Sequence, residues 1–154
     1  MTHEEMMREA LLLAREASDS GDVPVGCIIV DSSGSIIGRG RNRREAQHDA
    51  TAHAEIEAIR EACSSLGDWR LEGCTMAVTL EPCPMCAGAI INARIPKLVF
   101  GLREENSGSC GSVIDLFSEA YGHKPKVYSG VLSEESRSLL QRFFEKKRNT
   151  KTDR

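Results

Sequence analysis

The sequence has no long apolar run. Its uninterrupted stretches, such as Cys27 to Val30, fall far short of the roughly 20 residues that cross a bilayer, so no membrane span is expected. Its first residues, MTHEEMMREA, lack the basic start, apolar middle and small-residue cleavage site of a secretory signal, which makes the cytoplasm the expected address. An excess of one charge is missing too. Against 20 Lys and Arg stand 23 Asp and Glu, a net charge of -3, so any attraction to a polyanion must come from local patches. No internal repeat, low-complexity block or Pro/Gly/Ser-rich linker divides the chain, which reads as one domain over residues 1–148 with a polar basic tail over 149–154. What is present, 40% hydrophobic and 28% charged residues in 154, is the composition of an ordinary globular domain with a buried core. A chain of that size needs no disulfide staples, so its six cysteines are expected as thiols.

Periodicity sets the expected elements. Met6, Met7, Ala10, Leu11, Leu13, Ala14 and Ala17 recur at helical steps, and Gly21 ends that helix. Val23 to Val30, the turn Asp31-Ser32-Ser33-Gly34 and a short run at Ile36 and Ile37 read as a hairpin. After a polar stretch from Gly38 to Thr51, a second helix carries Ala54, Ile56, Ala58, Ile59 and Ala62, with Thr51 as its expected N-cap. A strand at Met76 to Leu80, a small helix from Pro84 to Ala93, strands at Lys97 to Phe100 and Val127 to Ser129, and a helix from Ser133 to about Lys147 complete the chain. The last helix should bury Leu139, Leu140, Phe143 and Phe144. Strands alternating with helices favour an α/β fold with helices packed on a partly parallel sheet.

Chemistry concentrates at two expected helix starts. In Pro82-Cys83-Pro84-Met85-Cys86 the cysteines lie three apart, about 60° around a helix axis, so both sulfurs can enter one volume. The dipole and free N–H groups of a helix start favour thiolates there. Alone, this C-x-x-C leaves open a zinc site, a redox pair or two core cysteines; Cys27, Cys63, Cys74 and Cys110 read as small buried apolar residues. His53-Ala54-Glu55 separates the readings. His53 adds a nitrogen to two thiolates and leaves a fourth tetrahedral position for water, the pattern of a catalytic zinc. Neither His48 nor His123 stands at a spacing that would supply a fourth ligand. Glu55 would face away from His53 in mid-helix, and converges with it only in a first turn, where a carboxylate can exchange protons with an activated water. H-x-E followed by P-C-x-x-C is the signature of zinc nucleobase deaminases.

With these residues in place the sequence resembles the bacterial tRNA-specific adenosine deaminases, within the cytidine-deaminase-like zinc enzymes. The resemblance runs over nearly the whole chain: DVPVGCIIV at Asp22 to Val30, Asn42, HDATAHAEIEAIREAC at His48 to Cys63, WRLEG at Trp69 to Gly73, VTLEPCPMCAGAIINARIPKLVFG at Val78 to Gly101, and GVLSEESRSLLQRFF at Gly130 to Phe144. It implies a three-layer α/β/α sandwich around a five-stranded mixed sheet, a homodimer, one Zn2+ per subunit, and hydrolysis of adenosine to inosine at the wobble position of a tRNA anticodon stem-loop. His53, Cys83 and Cys86 would bind the metal, Glu55 would shuttle protons, and Asn42, with Val25 and Gly26 beside it, would meet the target base. Ala50 stands where many relatives have proline, Glu104-Glu105-Asn106 where many have Asp-x-Lys, and Tyr121-Gly122-His123 where relatives often have aromatic-Asn-His, in a loop one residue shorter.

Arg39, Arg41, Arg43 and Arg44 flank Asn42 and can pair with phosphates near an entering base; Arg41, Arg43, Arg44 and His123 are the candidate RNA contacts. Lys146, Lys147, Arg148, Lys151 and Arg154 form a second basic region that equally suits a solvated surface. A splayed anticodon loop can offer a base to a closed zinc site where a duplex cannot. Two other readings remain at this point: deamination of a free base or nucleoside of guanine or cytosine type, and a noncatalytic zinc- or RNA-binding module.

Overall fold

The computed structural model describes residues 1–152, with side chains through residue 150. Helix α1 (His3–Asp19) opens with a capping box: Thr2 Oγ1 accepts from the Glu5 N–H at 3.1 Å, and Glu5 accepts from the Thr2 N–H at 3.0 Å. Strands β1 (Gly26–Val30) and β2 (Ile36–Arg41) form the hairpin, followed by the short α2 (Arg44–Gln47) and α3 (Ala54–Leu66). Strand β3 (Thr75–Leu80), helix α4 (Pro84–Asn92), strand β4 (Lys97–Leu102), a 3-10 turn at Leu116–Ser118, strand β5 (Lys126–Tyr128) and helix α5 (Ser133–Thr152) follow.

The five strands order as β2-β1-β3-β4-β5, with β1 antiparallel to both its neighbours and β3, β4 and β5 parallel. Strand alternation assigns the two faces. Ile28, Val30, Ala77 and Val99 pack with Met7, Ala10 and Leu139 of α1 and α5. Cys27, Ile29, Met76, Val78, Leu98 and Phe100 pack with Ala54, Ala58, Ala87 and Ile90 of α3 and α4. Covered on both faces, β1 is buried at all five positions, as its unbroken apolar run demands. This is the expected three-layer α/β/α sandwich. Among the described residues no helix is long and apolar enough to cross a membrane.

Several expectations are corrected. β2 runs on through Gly38 to Arg41, where a polar stretch was expected, because its glycines admit α3 on one face while Arg39 and Arg41 alternate onto the opposite face. α3 is capped at His53, and Thr51 instead bonds to Asp49. α5 runs past Lys147 to Thr152, through residues assigned to a tail. Leu139 and Phe143 are buried, but Leu140 is half-buried and Phe144 is 44% exposed, since only one stripe of α5 meets the sheet. Cys27, Cys74 and Cys110 are buried, whereas Cys63 is half-buried. The side chain of Lys151 and the whole of Arg154 lie outside the described residues.

Candidate metal and active site

Two helix starts meet at the carboxyl ends of the parallel strands. β3 ends at Leu80 and leads through Glu81 and Pro82 to Cys83, the N-cap of α4, where Pro84 occupies the first turn with no N–H in need of an acceptor. His53 is the N-cap of α3. His53 Nδ1 lies 3.6 Å from Cys83 Sγ and 3.5 Å from Cys86 Sγ, and the three ligand atoms all fall within 4.8 Å of one another. A tetrahedral zinc, with bonds of about 2.3 Å to sulfur and 2.0–2.1 Å to nitrogen, sets its ligands roughly 3.5–3.8 Å apart. The spacing and the two-sulfur, one-nitrogen donor set therefore fit a zinc ion, with a fourth position left to a non-protein ligand.

The side chains of the site polarise one another's protonation. A hydrogen bond from the Cys86 thiol is the chief cause that brings Cys83 down to about 4, while the same bond and burial push Cys86 far up. The bond to Cys83 raises His53 against the effect of burial. Glu55 sits in the first turn of α3, 4% exposed, and burial pushes its carboxyl up to about 7. It lines the same cavity as His53 and Cys83, as a first-turn position allows.

Asn42 is buried beside them, and its Oδ1 accepts from the Ala54 N–H at 3.1 Å. That bond satisfies an orphan donor of α3 and turns the amide so that Nδ2, a pure donor, is the group left for the cavity. Val25 lines the cavity, and its carbonyl accepts from the Asn42 N–H at 3.2 Å. Gly26 does not. A Cβ there would stand 1.9 Å from the Ala10 carbonyl oxygen, so this glycine serves the close approach of α1 to β1.

The arginine cluster divides. Arg44 lines the cavity, and the turn that carries it is held by Asp22, whose carboxylate accepts from the Glu45 and Ala46 N–H groups at 2.8 and 3.3 Å. Arg43 is tied to Glu57 of α3 at 3.0 Å. Arg41 projects to the other face of the sheet and pairs with Glu16 of α1 at 3.7 Å, which removes it from the cavity. His123 is not brought there either. Its Nε2 donates to the Ile95 carbonyl at 2.7 Å, before β4 begins, and the six residues of β4, about 20 Å, separate it from the site.

The sequence pointed to none of Glu81, Glu104, Ser107 and Asp22 as part of the site; Glu104 stood out only within a departure from relatives, and Asp22 only as the start of a matched segment. Glu81 and Asp22 are acidic side chains only 2% and 1% exposed, a status that only the fold reveals. The one signal for Glu81 is its place two residues before Cys83.

The comparisons agree with this geometry. The family model for the cytidine and deoxycytidylate deaminase zinc-binding region matches residues 1–102. A tRNA-specific adenosine deaminase of Bacillus subtilis (strain 168) is 46% identical over 153 residues, covering 98% of this chain and 94% of that protein. A solved structure from a study of A-to-I editing by tRNA:A34 deaminases at the wobble position of transfer RNA superposes with a TM-score of 0.84 at 44% identity, over 88% of this chain and 99% of that one. A guanine deaminase from Nitrosomonas europaea superposes with a TM-score of 0.80 at 25% identity, over 91% of this chain and 83% of that one. Matched by the family model over more than half its length, the chain belongs to the cytidine and deoxycytidylate deaminase zinc-binding family.

Proposed function

We propose that this protein hydrolyses adenosine to inosine at the wobble position of a tRNA anticodon. The observation that carries the reading is the convergence of His53, Cys83 and Cys86 on one metal-sized volume, with Glu55, which is not among those ligands, in the same cavity. The 46% identity to a tRNA-specific adenosine deaminase over nearly the full length of both chains supports the choice of substrate.

His53, Cys83 and Cys86 would hold a zinc ion, which would supply the Lewis acidity that hydrolysis needs at neutral pH. In the overall reaction a water oxygen bonds to purine C6, the C6–N6 bond breaks, and ammonia leaves. Glu55 carries one proton of the attacking water to purine N1 and passes the second to the departing amine, so the product keeps C6=O and N1–H; a carboxyl near neutrality is suited to these transfers. Asn42 Nδ2 donates to an acceptor nitrogen of the purine while its Oδ1 stays on Ala54. Val25 closes the cavity wall. Arg44 is placed to pair with a phosphate beside the flipped nucleotide. Arg43 joins it only by releasing Glu57.

We further propose a cytoplasmic homodimer of single-domain subunits, with residues 1–148 as the deaminase domain and 149–154 as a basic extension. Light scattering reads the assembly. For the reaction, purified zinc-loaded protein is incubated with an anticodon stem-loop carrying adenosine at the wobble position, and with free adenosine, cytidine and guanine. Inosine in the stem-loop alone is the expected result. Turnover of free guanine and none of the RNA would favour the second reading, which the guanine deaminase likeness supports.

A further inference from the structure

Glu81 forms no hydrogen bond with the metal triad, yet it is among the most heavily bonded side chains beside the cavity. Its buried carboxylate accepts from the N–H groups of Glu104 at 3.1 Å, Cys110 at 3.0 Å and Ser112 at 3.1 Å, and from the Ser112 hydroxyl. Every one of these donors belongs to the segment after β4 that contributes Glu104 and Ser107 to the cavity wall. Backbone bonds complete the seam. The Glu81 N–H donates to the Leu102 carbonyl at 2.8 Å, and the Ser109 N–H donates to the Pro82 carbonyl at 2.9 Å. Gly108 closes over the carboxylate, where a Cβ would stand 2.5 Å from the Glu81 carboxyl carbon and 2.3 Å from the Glu104 carbonyl oxygen.

With both oxygens occupied by donors, this carboxylate holds neighbours in place and is not set up to pass a proton. The segment it holds has little regular structure, only the single bridge of Cys110 to Asp115 before the 3-10 turn, so its three N–H groups have no ladder partner to replace the carboxylate. Cys83 lies two residues further along the chain. We propose that Glu81 is a positioning residue that clamps the 104–112 wall onto the metal-binding loop, keeping the surface that faces the substrate in register with the cysteine ligands. Its kinetic consequence rests on the deaminase reading above; its structural consequence does not.

The test pairs Glu81→Gln with Gly108→Ala in zinc-loaded protein. Glutamine keeps the shape but sets an N–H2 against backbone donors; alanine pushes the wall away from an intact Glu81. Both variants should keep one zinc per chain, exchange amide hydrogens in 104–112 about tenfold faster with β3 and α4 unaltered, and raise KM for the stem-loop about tenfold with kcat within about threefold. Exchange unchanged in 104–112, exchange rising uniformly along the chain, or a fall in kcat at constant KM would each overturn the proposal. Should Glu81→Gln not fold, Gly108→Ala and the milder Ser112→Ala decide by the same measurements. If wild-type protein leaves the stem-loop unmodified, the proposed function fails, and the exchange pattern still judges the clamp.

Discussion

Gly40, on β2, lies under the first turn of α3, the turn that presents His53 and Glu55. A Cβ at that position would stand 2.0 Å from the Ala54 carbonyl oxygen and 2.8 Å from the Ala58 nitrogen. Ordinary contact begins at 3.4 Å, so in Gly40→Ala the Ala54 carbonyl must retreat by about 1.4 Å, and the obstacle is helix backbone, which cannot swing aside. Zinc ligation tolerates displacements of only about 0.2 Å, so even a fifth of that retreat, passed to the adjoining His53, reaches the limit. The substitution should cost about 1–3 kcal/mol by overpacking, a fall in Tm of roughly 3–10 °C for a chain of this size. Gly38→Ala is the internal control. Its Cβ meets the Ala58 carbonyl oxygen at 2.3 Å, a similar obstruction one turn further from His53. Thermal unfolding of the metal-free variants should show comparable losses, whereas competition with a chromophoric chelator should show zinc affinity reduced about 10–100-fold in Gly40→Ala and much less in Gly38→Ala. Equal affinity in both variants, or wild-type affinity in Gly40→Ala, would refute the claim that the distance between α3 and β2 sets the metal cage.

Glu55→Gln should retain fold and zinc and lose about 10²–10⁴-fold in deamination, while Cys83→Ala should lose the zinc itself; metal analysis beside the activity assay checks both, and an active Glu55→Gln would remove the proton shuttle. Arg44→Ala should lower the slope of log affinity against log salt by about 0.7, whereas Arg41→Ala, whose side chain pairs with Glu16, should leave it unchanged; identical slopes in the two would dismiss Arg44 as a phosphate contact. Zinc uptake near neutral pH should expel the Cys86 proton, because burial and the bond to Cys83 raise that thiol and zinc binds the thiolate, so affinity falls as pH falls. Calorimetric titration in two buffers of different ionisation enthalpy counts the protons, and a count of zero would contradict the assignment.

The alternation of strands and helices was legible because most elements carry their own period, whereas the three-layer sandwich around five strands was implied only by the family resemblance. The run Cys27-Ile28-Ile29-Val30 announces a strand covered on both faces, and Met6 to Ala17 a helix with one buried stripe. The metal site was legible for a related reason: its chemistry is carried by residue types and spacings within two short segments. What could not be read depends on contacts between segments far apart in sequence. Arg41 and Arg43 look equivalent to Arg44 until strand alternation turns one toward Glu16 and α3 offers Glu57 to the other. Gly26 adjoins Val25, yet its missing side chain is a concession to α1, not to a ligand. Glu81 gave no sign of being buried, since the four donors that make its burial tolerable come from Glu104 to Ser112.

The misplaced cap of α3 has the same origin, and it shows how the site is built. An N-cap is ordinarily Ser, Thr, Asp or Asn, whose side chain accepts from the first turn and is worth about 1 kcal/mol. Here both helices that reach the metal have a ligand at that position, His53 in α3 and Cys83 in α4, and neither side chain caps its own helix. The free N–H groups are served in other ways. Asn42 reaches across from the end of β2 to accept from Ala54, and Pro84 needs no acceptor because it has no N–H. With its oxygen fixed by that duty, Asn42 can offer the cavity only its amide donors, so the capping of α3 and the presentation of a hydrogen-bond donor to the substrate are a single constraint on one side chain.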